Sequence, residues 1–245
     1  MNKLINKFIR KIKEDHPYCS AIVPAAGSSR RMGGENKLLM HVGGMPVLAR
    51  TLLALDGAAL VDEIVVATRE EDLLMIADLC KQYAIAKPVK IVRGGDSRQE
   101  SVLAAALECN SESRFIAVHD GARPLATSAF IDEVITLAHK TNAAAPGVPV
   151  KDTIKVVRDG KVVSTPDRDT LRAIQTPQVF DAQLLRAALQ SAVESGAVVT
   201  DDCSAVERLG KEIYLTEGSY ENIKITTPED VAQAEEILRG REGAL

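Results

Sequence analysis

From Ser20 onward, short β-branched runs alternate with longer stretches that carry apolar residues at helical spacing, and this rhythm constrains the fold more than any other feature. Ala21–Val23, Glu63–Ala67, Val89–Val92 and Phe115–Val118 read as strands. Pro46–Leu55, Glu70–Tyr83 and Arg98–Glu108 between them read as helices, and Thr127–Lys140 and Ala143–Val150 add another helix and strand. A strand–helix–strand succession requires crossover connections and gives a mostly parallel sheet covered on both faces. The composition agrees. Aromatics are 3% and Trp is absent, so the core must be built from Ala, Val, Ile and Leu, the residues that buried parallel strands and their covering helices favour.

The rhythm breaks once. Lys155–Val163 holds two short β runs joined by Asp159-Gly160, the dipeptide of a tight hairpin. Inside an α/β chain such a hairpin is expected to project as an arm, spanning about residues 151–175. Helical patterning then returns at Asp181–Glu194 and Asp201–Leu209. Strands are predicted at Glu212–Leu215 and Asn222–Ile225, and Thr227–Leu238 forms a last helix opened by Thr-Pro-Glu-Asp. With no repeat or linker, residues 20–241 read as one domain, preceded by a basic amphipathic helical extension over residues 1–19.

Charge and cysteines exclude several classes. The chain has 30 Lys+Arg against 34 Asp+Glu, too little positive excess for nucleic acid as a main partner. No apolar run approaches the roughly 18 residues of a membrane span, so no stable membrane association is expected. Cys19, Cys80, Cys109 and Cys203 are widely separated, without a CxxC pair, which argues against structural zinc and for free thiols in a reducing, cytoplasmic compartment.

Chemistry concentrates at predicted strand ends. The first strand runs into Pro24-Ala25-Ala26-Gly27-Ser28-Ser29, then Arg31 and Lys37. Small residues let backbone N–H groups approach a polyphosphate, and the two cations can neutralise its charge. The spacing is neither GxGxxG nor GxxxxGK[ST], so a dinucleotide fingerprint and a P-loop are both disfavoured. The bland reading is a glycine-rich connector. His119-Asp120-Gly121-Ala122-Arg123 follows another strand, where Asp120 is placed to face Mg²⁺ beside a nucleotide and His119 reads better as a structural histidine. Gly94-Gly95-Asp96-Ser97, with Ser101 a turn later, either caps a helix through Asp96 or Ser97 or grips a base and ribose. Lys224 sits on the predicted strand Asn222–Ile225, where it can reach into a cleft.

Taken together, PAAGSSRRMGGENK, GGDSRQESV, HDGARP, VKDTIK, TPQVF, TDDCSAVE and NIKITTPED, in this order between Ser20 and Leu238, resemble the 2-C-methyl-D-erythritol 4-phosphate cytidylyltransferases of the non-mevalonate isoprenoid pathway. The resemblance implies a Rossmann-like, glycosyltransferase-A-like nucleotidyltransferase fold. It also implies transfer of CMP from CTP to a polyol phosphate, a divalent cation such as Mg²⁺, and a homodimer formed through the arm. It assigns Arg31 and Lys37 to the transition state. Pro24, Ala25, Ala26, Gly27, Ser28, Ser29, Gly95, Asp96, Ser101 and Asp120 go to CTP, and Arg168 and Lys224 to catalytic seating of the acceptor. Arg123, Thr153, Thr176 and Thr200 follow as further acceptor residues, some of them reaching across from a partner subunit. Three alternatives compete with it: a cytidylyltransferase for another polyol phosphate such as ribitol 5-phosphate, a nucleotide-binding regulator and an NAD-linked oxidoreductase. The regulator has no need of Arg31, Lys37, Asp120 and Lys224 together, and the oxidoreductase lacks its fingerprint.

Overall fold

The computed structural model of the chain describes residues 16–27 and 36–243. Residues 1–15 of the predicted helical extension and the loop residues Ser28, Ser29 and Arg31 lie outside the described residues. Residues 16–18 of that extension are not helical, and Cys19 already belongs to the first strand, so the domain starts one residue earlier than expected.

The central sheet holds eight strands: β1 (Cys19–Pro24), β4 (Glu63–Thr68), β5 (Val89–Arg93), β6 (Phe115–Val118), β7 (Ala143–Pro149), β10 (Arg172–Ile174), β11 (Gln178–Asp181) and β12 (Tyr214–Glu217). Their order is β10-β7-β11-β6-β1-β4-β5, with β12 also pairing β7. β6, β1, β4 and β5 run parallel, and β12 runs parallel to β7. β11 is antiparallel to both β6 and β7, and β10 is antiparallel to β7. The chain goes one way from β1 to β4 and β5, then returns to place β6 on β1's other edge. A crevice opens at the carboxyl ends of strands where the order reverses in this way.

Strand alternation divides the core in two. Ala21, Val23, Ile64, Val66 and Ala117 face α1 (Val47–Gly57), α2 (Leu73–Gln82), α4 (Ser128–Thr141) and α7 (Pro228–Glu242). Ile22, Val65, Ala67, Ile116, Val118 and Phe180 face α3 (Arg98–Glu108), α5 (Ala182–Glu194) and α6 (Asp202–Glu207). Successive side chains point to opposite faces, so both faces of β1, β4 and β6 are buried. All four cysteines are buried free thiols. Among the described residues no helix is long and apolar enough to cross a membrane.

The hairpin falls where expected. β8 (Val156–Arg158) and β9 (Lys161–Ser164) pair only with each other. Asp159 and Gly160 both have positive φ, 48° and 72°, as a type I′ turn requires. Val156, Val157, Val162 and Val163 are all exposed.

Four readings need correction. Asn222–Ile225 is not a strand: the segment pairs with no ladder, and the Ile225 N–H donates to Ala122 O at 2.8 Å. Its β-branched residues look like a strand, but its backbone joins no ladder of the sheet. The arm ends earlier than residue 175, because Arg172–Ile174 joins the main sheet opposite Gly147–Pro149. A short hairpin of β2 (His41–Val42) and β3 (Met45–Pro46) precedes α1, which starts at Val47. The second predicted helix begins with a 3₁₀ turn over Glu70–Asp72 and becomes α-helical at Leu73.

Candidate active site

A cavity of about 380 Å³ opens at the carboxyl ends of β1, β5 and β6, lined by Pro24–Gly27, Lys37 and Leu38, Gly95–Arg98 and Ser101, Asp120–Ala122 and Lys224. The segments after β1, β5 and β6, far apart in sequence, meet here because these three strands run parallel in one sheet and end at the same side of it.

The loop after β5 is shaped by close approach. A Cβ on Gly94 would stand 2.7 Å from Ser101 Oγ and 3.0 Å from Ala26 Cβ, so glycine lets this loop lie against the one after β1. Ser97, not Asp96, caps α3: its side chain accepts from Glu100 N–H while the Glu100 carboxylate accepts from Ser97 N–H, a capping box. Ser101 Oγ accepts from Gly95 N–H at 3.1 Å and donates to Ser97 O at 2.9 Å. Its hydroxyl therefore holds the loop in shape. Asp96 is exposed at the cavity rim.

Asp120 is the electrostatic centre. One carboxylate oxygen lies 2.8 Å from Lys224 Nζ and 3.5 Å from Arg123 Nε, and the other lies 3.8 Å from Arg98. Burial works to raise its pKa, but Lys224, Arg98 and Arg123 outweigh that and bring it down to about 2. Behind it, Asp120 N–H donates to Thr176 Oγ1 at 3.0 Å, and Thr176 Oγ1 lies 3.0 Å from His119 Nδ1. His119 is fully buried, and burial is the main reason its pKa falls to about 4, which keeps the ring neutral. The structural reading of this histidine fits its surroundings.

Arg98 was not singled out by sequence, yet it lines the cavity and grips Asp202 with both terminal nitrogens, at 3.0 and 2.7 Å. Burial opposes its charge, but Asp202 and Asp120 hold the guanidinium cationic more firmly than usual. Asp202 is set by Gln178, whose Oε1 accepts from the N–H groups of Asp202 and Cys203 at 3.0 Å each. Asp201 caps α6 and accepts from Gln178 Nε2. Both TDDCSAVE and TPQVF thus converge on Arg98. Nothing in the local pattern of either motif reveals a partner 104 residues away.

The other expected residues divide sharply. Lys37 lines the cavity. Lys224 does too, but from a loop rather than the predicted strand. Arg123 and Thr176 are buried directly behind Asp120. Arg168, Thr153 and Thr200 are exposed and do not line the cavity. Arg168 stands at the root of the arm, where its guanidinium donates to Lys151 O at 2.9 Å beside a second, open cleft shared with Lys151 and Arg172.

A nucleotide-sized cavity flanked by Lys37, Arg98 and Lys224 suits a polyphosphate, and the family comparison is decisive. Residues 19–240 match the family model for 2-C-methyl-D-erythritol 4-phosphate cytidylyltransferase. The chain belongs to this family. The enzyme of that name from Bacillus cereus is 44% identical over 218 residues, covering 89% of this chain and 96% of the relative. That from Caldanaerobacter subterraneus is 45% identical over 227 residues, covering 90% and 98%. Among solved structures, 4-diphosphocytidyl-2C-methyl-D-erythritol synthase from Anaerococcus prevotii superposes with a TM-score of 0.82 at 33% identity, covering 91% of this chain and 98% of that one. The Thermus thermophilus cytidylyltransferase gives 0.71 at 29% identity over 89% and 98%. The fold is therefore the Rossmann-like, mostly parallel nucleotidyltransferase fold of these family members.

Proposed function

We propose that this chain transfers CMP from CTP to 2-C-methyl-D-erythritol 4-phosphate, a step of isoprenoid precursor biosynthesis, and the observation that carries this reading is the cationic cavity at the reversal point of a sheet that belongs to this family. An oxygen of the acceptor phosphate attacks the α-phosphorus of CTP. The bond to the bridging oxygen breaks, pyrophosphate leaves, and 4-diphosphocytidyl-2-C-methyl-D-erythritol is formed. No group on the protein becomes covalently attached, so the chain's contribution is positioning and charge stabilisation.

In this reading the Pro24–Ser29 loop cradles the triphosphate through its N–H groups, and Lys37, with Arg31, stabilises charge that builds on the α-phosphate. Gly95, Asp96 and the Ser101-braced turn hold the cytidine. Lys224 takes the acceptor phosphate, which competes with Asp120 for its ammonium. The four cations do not act alike: Arg98 is locked to Asp202 and shapes the wall, whereas Lys224 has a long flexible stem and one partner to exchange.

A divalent cation belongs to the same proposal. Among the described residues no group of three or more His, Cys, Asp or Glu can cage a metal. Asp120, which lines the cavity, would face an ion that arrives with the nucleotide. Such an ion supplies neutralisation of the phosphate charge when bound.

We further propose a homodimer through the arm. Four exposed valines lie on a two-stranded hairpin that, among the described residues, pairs with no other strand, and an isolated hairpin is marginal in water. Pairing with a second arm would bury them in a two-fold interface. It would also carry Arg168 and Thr153 toward the neighbour's cavity, which accounts for their distance from the one in their own chain. A cytoplasmic location is part of this reading, in keeping with four buried free thiols.

The test is pyrophosphate release from CTP and Mg²⁺ with either 2-C-methyl-D-erythritol 4-phosphate or ribitol 5-phosphate. Turnover with the first and not the second is expected. A preference for ribitol 5-phosphate overturns the acceptor assignment, and release with neither overturns the activity.

A further inference from the structure

Lys224 reaches Asp120 from a stretch of chain that no strand ladder supports. We infer that Asn222 is the positioning residue for Lys224: its buried amide, anchored on the Thr176 carbonyl, sets where the Lys224 ammonium stands. This rests on the reading of Lys224 as the acceptor-phosphate ligand.

The argument starts from the contacts of Asn222. The residue is 1% exposed. Its Nδ2 donates to Thr176 O at 2.9 Å, and its main-chain oxygen accepts from Arg123 Nη1 at 2.6 Å. Both partners also hold Asp120: Thr176 Oγ1 accepts from Asp120 N–H, and Arg123 Nε lies 3.5 Å from the Asp120 carboxylate. A closed circuit results, from Asn222 through Thr176 to Asp120, across the ion pair to Lys224, and back along two residues of backbone. Gln175 secures the start of the same segment, since its Nε2 donates to Ser219 O at 2.7 Å and its Oε1 accepts from Ser219 N–H at 3.2 Å.

The type of residue matters as much as its place. Asn222 Oδ1 is buried and has no hydrogen-bond partner among the described residues. An amide with an unmet acceptor is costly to bury, and an aliphatic side chain of similar size would fill the space without that cost. What the amide adds is direction, a short bond to a carbonyl that is fixed just ahead of β11, beside a longer one to Gln175 Oε1 at 3.5 Å. A lysine ammonium on four rotatable carbons gains most from such an anchor, because its own stem does not define its position.

The experiment is a double-mutant cycle on the full-length enzyme, with Asn222→Leu, Lys224→Ala and the pair. Michaelis constants are measured for both substrates, and folding is checked by circular dichroism. Asn222→Leu is expected to raise the constant for the acceptor roughly tenfold while that for CTP stays within about twofold, as a misplaced ligand group predicts. The double variant should be no worse than Lys224→Ala alone, since both remove the same contact. If the two effects multiply, or the constant for CTP rises equally, Asn222 does not act through Lys224 and the inference fails while the assignment of Lys224 stands. If Lys224→Ala leaves the acceptor constant unchanged, that assignment falls and the inference with it. Should Asn222→Leu fail to fold, the smaller Asn222→Ser, whose hydroxyl is too short to reach Thr176 O, is read in the same cycle with the same outcomes.

Discussion

The cavity end of the sheet and the arm are built on opposite principles. Around Asp120 every charged group is cross-braced: three cations converge on one carboxylate, Arg98 is locked to Asp202, and Thr176 ties the strand end to the Lys224 loop. Beyond Pro149 the chain forms a two-stranded hairpin whose valines face solvent and whose basic residues, Lys151, Arg168 and Arg172, hydrogen-bond or stack locally. The first region is braced by contacts made within one chain. The second leaves apolar side chains exposed on a hairpin that, among the described residues, joins no other strand. One prediction follows for each kind of construction, since damage to the braced end should show in turnover or stability without changing assembly, and damage to the arm should change assembly and acceptor binding together.

The largest effect is expected at the braced end. Lys37→Ala, or Arg31→Ala, should lower kcat about a hundredfold, the usual loss of roughly 3 kcal/mol on removing one donor from a developing charge. Melting temperature and dimer content should stay near those of the parent, and near-normal turnover in a folded variant would remove these residues from the transition state.

His119 probes the bracing itself. Burial holds its pKa near 4 against an ordinary 6.5. The native state thus resists a proton that the unfolded chain accepts, and stability is full above about pH 6.5 and declines as pH falls toward 4. The displacement corresponds to about 3 kcal/mol at most. Urea titrations of the parent and of His119→Gln across this window should show the parent losing more stability on acidification. Parallel pH dependences in the two proteins would mean that other groups carry the acid sensitivity.

The arm should answer differently. Val157→Asp with Val162→Asp is expected to give a monomer by light scattering and to raise the acceptor Michaelis constant about tenfold, an order of size set by losing a charge-assisted phosphate contact. CTP binding should hardly move. A complementary check mixes Lys37→Ala with Arg168→Ala subunits: if Arg168 serves the neighbour's cavity, the mixture should recover activity that neither variant has alone, and an inactive mixture would return Arg168 to its own chain.

The strand–helix alternation from β1 through β7, the small-residue loop after β1, the Gly94-Gly95 turn and the Asp-Gly hairpin were legible in the sequence, because each depends on local geometry. Strand alternation needs only the neighbouring residues, and a type I′ turn needs only two that tolerate positive φ. The family resemblance extended that legibility to Lys37, Asp120 and Lys224. It could not show that Lys224 rides on a loop, since β-branched residues look the same whether or not a sheet edge is open to receive them. Nor could it show the partnership of Arg98 with Asp202 or of Asn222 with Thr176. Those contacts join residues 104 and 46 positions apart. They exist only in the tertiary structure, which brings the loop after β5, the start of β11, the start of α6 and the Lys224 loop to one end of the sheet, where a buried polar group is costly unless it is partnered.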